Sequence, residues 1–475
     1  MMNFETKTAL MPHQVDAVNK LLPSRVSALF ADMGTGKTRM ILDLVYRRQK
    51  KIDKLVYFCP VSLKDTVRQE IAKHTTLDAS NIYTFDDKTR DGKLPDKQVY
   101  IIGIESMSSS VRAILSANKL ITPNTYAVVD ESSYIKGHRA LRAQRITKMC
   151  EITRYRSILT GTPISQGIVD LYAQMRFLSP KILGYNSFYS FAANHLEYSD
   201  KYPGRIVRSH NTEYIAAKIK PYVYQITKDE CLDLPEKLYS HRYLHMSEEQ
   251  DYWYNKIKDE TFEQMDKYGD DDYGRYITSH FIFELFTKLQ QITSGFVKYH
   301  GSIKELDNSR VRSLVNVVQS IPEQEKVLIF CKFQYDVDSI KKALSENFGE
   351  SSTTWFDGRV SEKGRKKAVD TFAKSTRFLV VTQSTGGHGF NFQDLASYAI
   401  FYNNGFKYSE RIQAEDRLHR IGQTKRPTYI DLYCISGIEE RIEKALCSKA
   451  NVVEEFRKEV DKVKKDKLKE LITKL

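Results

Sequence analysis

The feature that most constrains the fold of this chain is an alternation. Short apolar runs, separated by stretches of helical periodicity, occur in two successive series. In the first half the runs are VSALF (26–30), KLVYFC (54–59), VYIIG (99–103), YAVV (126–129) and RSILT (156–160), with helical patterns between them, as at 37–48 and 64–73. In the second half they are KVLIFC (326–331), TTWF (353–356), FLVV (378–381), YAIFY (398–402) and PTYIDLY (427–433), with helical patterns at 335–347, 361–373 and 409–420. Strands this apolar, joined through helices, call for parallel sheets covered on both faces. The reading is an α/β chain of two lobes, 1–235 and 236–450.

A chain of 475 residues can bury a core in each of two lobes. With 41% hydrophobic and 28% charged residues it is not a disordered chain. No apolar run is long enough for a membrane span, and the opening MMNFETKTALMPHQ lacks the pattern of a secretory signal. The six cysteines are scattered with no C-x-x-C pair, which speaks against a disulfide framework or zinc ribbon and for a reducing, cytoplasmic compartment. The net charge of +13 serves solubility or a polyanionic partner, and charge alone leaves both open.

Two stretches interrupt the alternation. Residues from about 165 to 300 are rich in Tyr, Phe and Lys and mostly helical in pattern, with DKYGDDDYGRY (266–276) reading as a solvated loop. Residues 451–475 place Phe456, Val460, Val463, Leu468, Leu471 and Leu475 at helical spacing, an amphipathic helix that packs on the second lobe or meets DNA or a partner.

The strongest local signal is VSALFADMGTGKTRMIL. An apolar strand runs into Gly34, Thr35, Gly36, Lys37 and Thr38 and then into a helix. The glycines permit a tight loop whose N–H groups form an anion nest, and the helix N-terminus favours phosphate. Lys37 is placed for β- and γ-phosphates and Thr38 for magnesium. The usual first glycine of this pattern is Ala31.

That loop gives meaning to YAVVDESS, where Asp130 and Glu131 end an apolar run. Asp-Glu-Ser-Ser also suits a helix cap. Beside a phosphate loop, Asp130 is expected to hold magnesium and Glu131 to orient or deprotonate the attacking water. In QAEDRLHRIGQ (413–423), Arg417 and Arg420 are three apart and share a face if helical. They either pair with Glu415 and Asp416 or act on the γ-phosphate. The phosphate loop in the other lobe favours the second, a contribution worth ~10³–10⁵ in rate in known systems.

In this order the motifs resemble the Swi/Snf-type branch of superfamily two, the helicase-like DNA-dependent ATPases. LMPHQVDAV resembles its adenine-reading motif, with Gln14 as the glutamine; ADMGTGKT resembles motif I, CPVSL motif Ia, VVDESSYIKG motif II and ILTGTPIS motif III. VLIFCKF resembles motif IV, TQSTGGHGFNF motif V and QAEDRLHRIGQ motif VI. The resemblance spans about residues 8 to 445. It implies two RecA-like lobes with ATP in the cleft between them, Mg²⁺ as cofactor, and Gln413 among the ATP-binding residues. It also implies helical protrusions near 165–225 and 245–300. Backbone contacts to DNA are expected from Thr160, Ser384 and Thr385, because hydroxyls and loop N–H groups hold phosphate without reading sequence.

The chain departs from the family at Ser132 and Ser133, where Ala and His are usual, and at Phe406 in place of a tryptophan. A serine donates a hydrogen bond toward motif III but carries no charge. The expected function is an ATP-dependent motor, a monomer translocating on or remodelling duplex or branched DNA without sequence preference. Helicase unwinding or branch migration is the alternative, and a nucleotide-gated DNA-binding protein with little hydrolysis is a third.

Overall fold

The computed structural model describes the chain except residues 90–93, 165–166, 199–205, 268–271, 387–388, 449–472 and 474–475; the side chains of 272–280 and 283 are also outside the description. The chain divides into two compact units, Met1–Asp233 and Leu234–Leu475; the boundary expected from sequence was 235/236.

The first unit is built on a seven-stranded sheet. Its strands are β1 (Val26–Ala31), β2 (Lys54–Cys59), β3 (Ile82–Thr84), β4 (Val99–Gly103), β5 (Thr125–Asp130) and β6 (Tyr155–Thr160). A short antiparallel pair, β7 (Leu196–Tyr198) and β8 (Ile206–Ser209), stands apart, and β9 (Val223–Ile226) completes the main sheet. The order is β3-β4-β2-β5-β6-β1-β9, and every pair in it is parallel. The pleat sends alternate residues to opposite cores. Ala127 and Val129 of β5 join one apolar cluster, Tyr126 and Val128 the other. Burial on both faces is why the inner strands read as unbroken apolar runs.

The second unit contains β10 (Leu238–Leu244), the antiparallel pair β11 (Phe296–Tyr299) and β12 (Ser302–Glu305), then β13 (Val327–Cys331), β14 (Thr353–Phe356), β15 (Phe378–Thr382), β16 (Tyr398–Phe401) and β17 (Thr428–Cys434). Its main sheet is parallel, in the order β10-β17-β16-β13-β15-β14. Along β13, Val327, Ile329 and Cys331 face one cluster and Leu328 and Phe330 the other.

Both units are therefore α/β with parallel sheets, as the alternation required. The strands not read from sequence lie mostly at sheet edges. β10 is exposed along most of its length, so LYSHRYL shows no apolar run. β3 has only three residues. The region 165–225 holds helices Val169–Leu178, Pro180–Leu183, Phe188–His195 and Thr212–Ile219. The region 245–300 holds Glu248–Asp266 and Asp272–Ser294.

Two expectations are corrected. The loop expected at 266–276 is helical from Asp272, because the apolar residues further on, Ile282, Leu285, Phe286 and Leu289, anchor one long helix in a buried cluster. The helix expected at 409–420 ends at Glu415. The amphipathic helix expected at 451–475 lies outside the described residues, Thr473 apart. Among the described residues no helix is long and apolar enough to cross a membrane.

Candidate functional site

In the first unit, β1 delivers the chain into the loop 32–36 and the helix Lys37–Arg48 leaves it. Gly34 and Gly36 both have φ of 83°, the left-handed region that glycine adopts without cost. At Gly36 a Cβ would also lie 2.2 Å from Gln14 Nε2, so a side chain there would have to displace the Gln14 amide. Gln14 is buried against this loop. Its amide donates to Thr35 O (3.1 Å) and accepts from Met11 N–H (3.0 Å), while His13 Nε2 lies 2.9 Å from the same Thr35 carbonyl. The Lys37 ammonium is held over the loop by Ala31 O (2.8 Å) and Asp32 O (3.1 Å). Backbone N–H groups at the helix start and a cation beside them make an anion site.

The end of β5 brings two carboxylates to the same edge of the sheet. Asp130 Oδ2 accepts from the Tyr57 hydroxyl (3.0 Å) and Oδ1 from the Glu131 N–H (2.9 Å). Burial raises the Asp130 pKa to about 6, opposed by the Lys37 charge and reinforced by Glu131. Glu131 is buried and has a left-handed backbone, φ 51°, uncommon for a residue with a side chain. Its Oε1 accepts from two hydroxyls, Thr160 (3.0 Å) and Ser133 (3.1 Å). Ser132 donates to Gln174 Oε1 (2.6 Å), whose amide in turn donates to Pro163 O (2.8 Å). Gly161 lies beside the phosphate loop, where a Cβ would make ordinary contact with Ala31 O (3.5 Å) and Met33 N (3.7 Å).

Whether magnesium suits this place can be judged from the donors. Among the described residues no cluster of three or more His, Cys, Asp or Glu side chains would hold a metal unaided. The Thr38 hydroxyl and a carboxylate whose anion is disfavoured by burial are hard oxygen donors that suit a cation shared with phosphate oxygens. The residues fit.

The second unit arranges motif VI differently from the expectation. Because the helix Tyr408–Glu415 stops first, Arg417 and Arg420 lie in the turns that follow it, not on one helical face. Arg417 is buried and donates to Gln413 O (3.2 Å) and Phe390 O (3.2 Å); Arg420 donates to the Asn391 side chain. Both arginines are thus fastened to the end of motif V. Glu415, the partner considered for them, is instead held by Lys237 (2.9 Å), Tyr239 (2.8 Å) and Arg411 (2.8 Å).

The residues expected at DNA fall in two settings. Ser384 is exposed and Thr385 half-buried on the short helix Gln383–Gly386, where the Thr385 hydroxyl donates to Thr382 O (3.2 Å). Thr160 has no exposed surface and its hydroxyl is spent on Glu131. Phe406 packs in the helical cluster, with the Lys332 ammonium 3.3 Å from its ring centre.

Tyr57, Gln174 and Arg411 were not singled out from sequence. For Tyr57 the available signal was a hydroxyl in the middle of an otherwise apolar strand.

The SNF2-related domain family matches residues 13–295. The chain belongs to this family. The helicase conserved C-terminal domain matches residues 309–422. An uncharacterized ATP-dependent helicase of Mycoplasma genitalium is 26% identical over 438 residues, covering 90% of this chain and 40% of that protein. The ISWI chromatin-remodeling complex ATPase of Saccharomyces cerevisiae is 22% identical, covering 91% and 39%. This SNF2-related chain thus spans about two fifths of the length of those relatives. The SWI2/SNF2 ATPase core of Sulfolobus solfataricus in complex with dsDNA is 23% identical, covers 94% of this chain and 93% of that one, and has a TM-score of 0.43.

Proposed function

We propose that this chain is an ATP-hydrolysing DNA motor that translocates on or remodels duplex-containing DNA. The observation that carries the reading is the meeting of the phosphate loop with a buried base: Lys37 over the loop, and Glu131 clamped through one oxygen by Thr160 and Ser133. Loop N–H groups and the helix N-terminus receive the phosphates of ATP, and Lys37 exchanges two carbonyl partners for phosphate oxygens. Holding Oε1 fixes the direction of Oε2, which takes the proton of the attacking water. Thr38 and Asp130 would hold Mg²⁺, which when bound neutralises phosphate charge. Arg417 and Arg420 supply charge that stabilises the transferring phosphoryl group, and Gln14 and Gln413 complete the nucleotide site.

DNA is held through its backbone, with Ser384 and Thr385 as donors, so affinity is largely independent of sequence and falls steeply with salt. Branched DNA is an equal candidate with plain duplex. A relative in Mus musculus, 24% identical, is named as a DNA annealing helicase and endonuclease, which supports helicase action as the alternative. A nucleotide-gated protein with little turnover is less well supported, because Ser133, where the family usually has histidine, braces Glu131 directly.

The test is phosphate release from ATP without nucleic acid and with single strands, duplex, forks, four-way junctions and RNA. Wild type should be stimulated by DNA. Lys37→Ala should abolish turnover, and Glu131→Gln should stop turnover while sparing ATP binding. Normal turnover in either variant, or indifference to DNA, overturns the reading.

A further inference from the structure

Tyr57 lies in the middle of β2, between β4 and β5, and has no exposed surface. A buried phenol needs a hydrogen-bond partner. Its neighbours along the strand on the same face, Leu55 and Cys59, show that the position belongs to an apolar core shared with Leu29, Ile41 and Leu159. Phenylalanine would fill that space equally well, so packing does not account for the hydroxyl.

The partner of the hydroxyl belongs to the candidate cation site. The phenol donates to Asp130 Oδ2 at 3.0 Å. One buried oxygen in the middle of β2 therefore holds the carboxylate at the end of β5. That bond selects one Asp130 rotamer. With Oδ1 on the Glu131 N–H, both oxygens of Asp130 are oriented.

We propose that Tyr57 is a positioning residue for the divalent cation: its hydroxyl orients Asp130 so that the carboxylate is set before metal and nucleotide arrive. This rests on the reading of Thr38 and Asp130 as the cation's donors. Partners of metal ligands that fix ligand orientation change metal affinity by about 10- to 100-fold when removed.

Mn²⁺ replaces Mg²⁺ as the probe, and its binding to the ADP complex of the full chain is read by the electron paramagnetic resonance signal of free Mn²⁺. Tyr57→Phe is compared with wild type, Asp130→Ala and Tyr126→Phe. Tyr126 is the control: it is equally buried, and its hydroxyl bonds Ser157 (2.9 Å) and Arg48 (3.0 Å) instead of Asp130. Tyr57→Phe should weaken Mn²⁺ about tenfold, with metal-free ADP affinity kept and a thermal midpoint near that of Tyr126→Phe. The Mg²⁺ concentration giving half-maximal ATPase should rise in parallel, more than the rate at saturating Mg²⁺ falls. Wild-type Mn²⁺ affinity in Tyr57→Phe, or an equal loss in Tyr126→Phe, overturns the proposal while leaving the cation site standing. Equal Mn²⁺ binding by wild type and Asp130→Ala removes the cation site itself, and the role of Tyr57 with it.

Discussion

Thr160→Val tests whether Glu131 acts as an oriented base. Valine keeps the shape of threonine in a site with no exposed surface. It removes the hydroxyl that donates to Glu131 Oε1 at 3.0 Å and accepts the Thr162 N–H at 3.0 Å. A hydrogen bond to a charged group is worth about 1.5–3 kcal/mol net. Ser133 still donates to the same oxygen at 3.1 Å, so the loss should sit near the lower end. At about 1.4 kcal/mol per factor of ten, kcat should fall about tenfold, with KM for ATP nearly unchanged. Ser133→Ala alone should cost less, since Ser133 is not fully buried. The double variant should lose more than the product of the two single effects, because each hydroxyl is the other's reserve. Thr160→Ser retains the donor and should stay near wild type. The assay is steady-state phosphate release at saturating ATP and duplex DNA. If the hydroxyls only depressed the basicity of Glu131, their removal would leave kcat unchanged or raise it, and either result would refute the orientation argument.

Arg310 is buried and its guanidinium donates to Thr293 O (3.2 Å), Leu432 O (2.8 Å), Tyr402 O and Glu439. Arg310→Leu strands the buried Glu439 charge and should cost about 3–5 kcal/mol, read as a lower urea midpoint; a change below ~1 kcal/mol would contradict this account. Asp336, fully buried at the start of the helix Gln334–Phe348, has its pKa raised by burial from 3.8 to about 6 despite bonds from Asn403 (2.8 Å) and the Phe333 N–H (3.0 Å). The folded state binds this proton more tightly than the unfolded one, so its stabilising effect is complete below pH ~4 and lost as pH rises through about 6. Urea titrations at pH 4 and pH 8 should therefore favour Asp336→Asn over wild type more at the higher pH, by about 2–3 kcal/mol; equal differences at both pH values would exclude the linkage.

Much of the scaffold was legible because parallel strands buried on both faces must be written in apolar residues, as VYIIG and FLVV are. The edge strand β10 was not, because exposure removes that demand. The phosphate loop was legible from Gly34 and Gly36, whose φ values admit little else, and Lys37 follows them directly in sequence. Hydrogen bonds between distant residues leave no such mark. Nothing local in LVYFC indicates that Tyr57 reaches Asp130, 73 positions away. Nor does motif III indicate that Thr160 would be enclosed with Glu131 in place of a surface position. The end of the helix at Glu415 was hidden for a related reason. That residue is drawn to Lys237, Tyr239 and Arg411, and the chain beyond turns so that Arg417 and Arg420 reach Phe390 and Asn391.

The substitution at Ser133 has a physical consequence. The histidine usual at this place in the family could titrate near neutral pH and so change the charge beside the base. Ser133 cannot, and neither can Thr160; both hold Glu131 as neutral donors. Asp130 is likewise held by a phenol and a backbone N–H. The proposed base and the candidate metal ligand are thus oriented by groups that keep one protonation state across neutral pH. A link between motifs II and III made of hydroxyls responds to geometry alone. Small shifts of the segment carrying Thr160 and Gly161 would therefore reach Glu131 as a change of hydrogen-bond length, with no proton to gain or lose on the way.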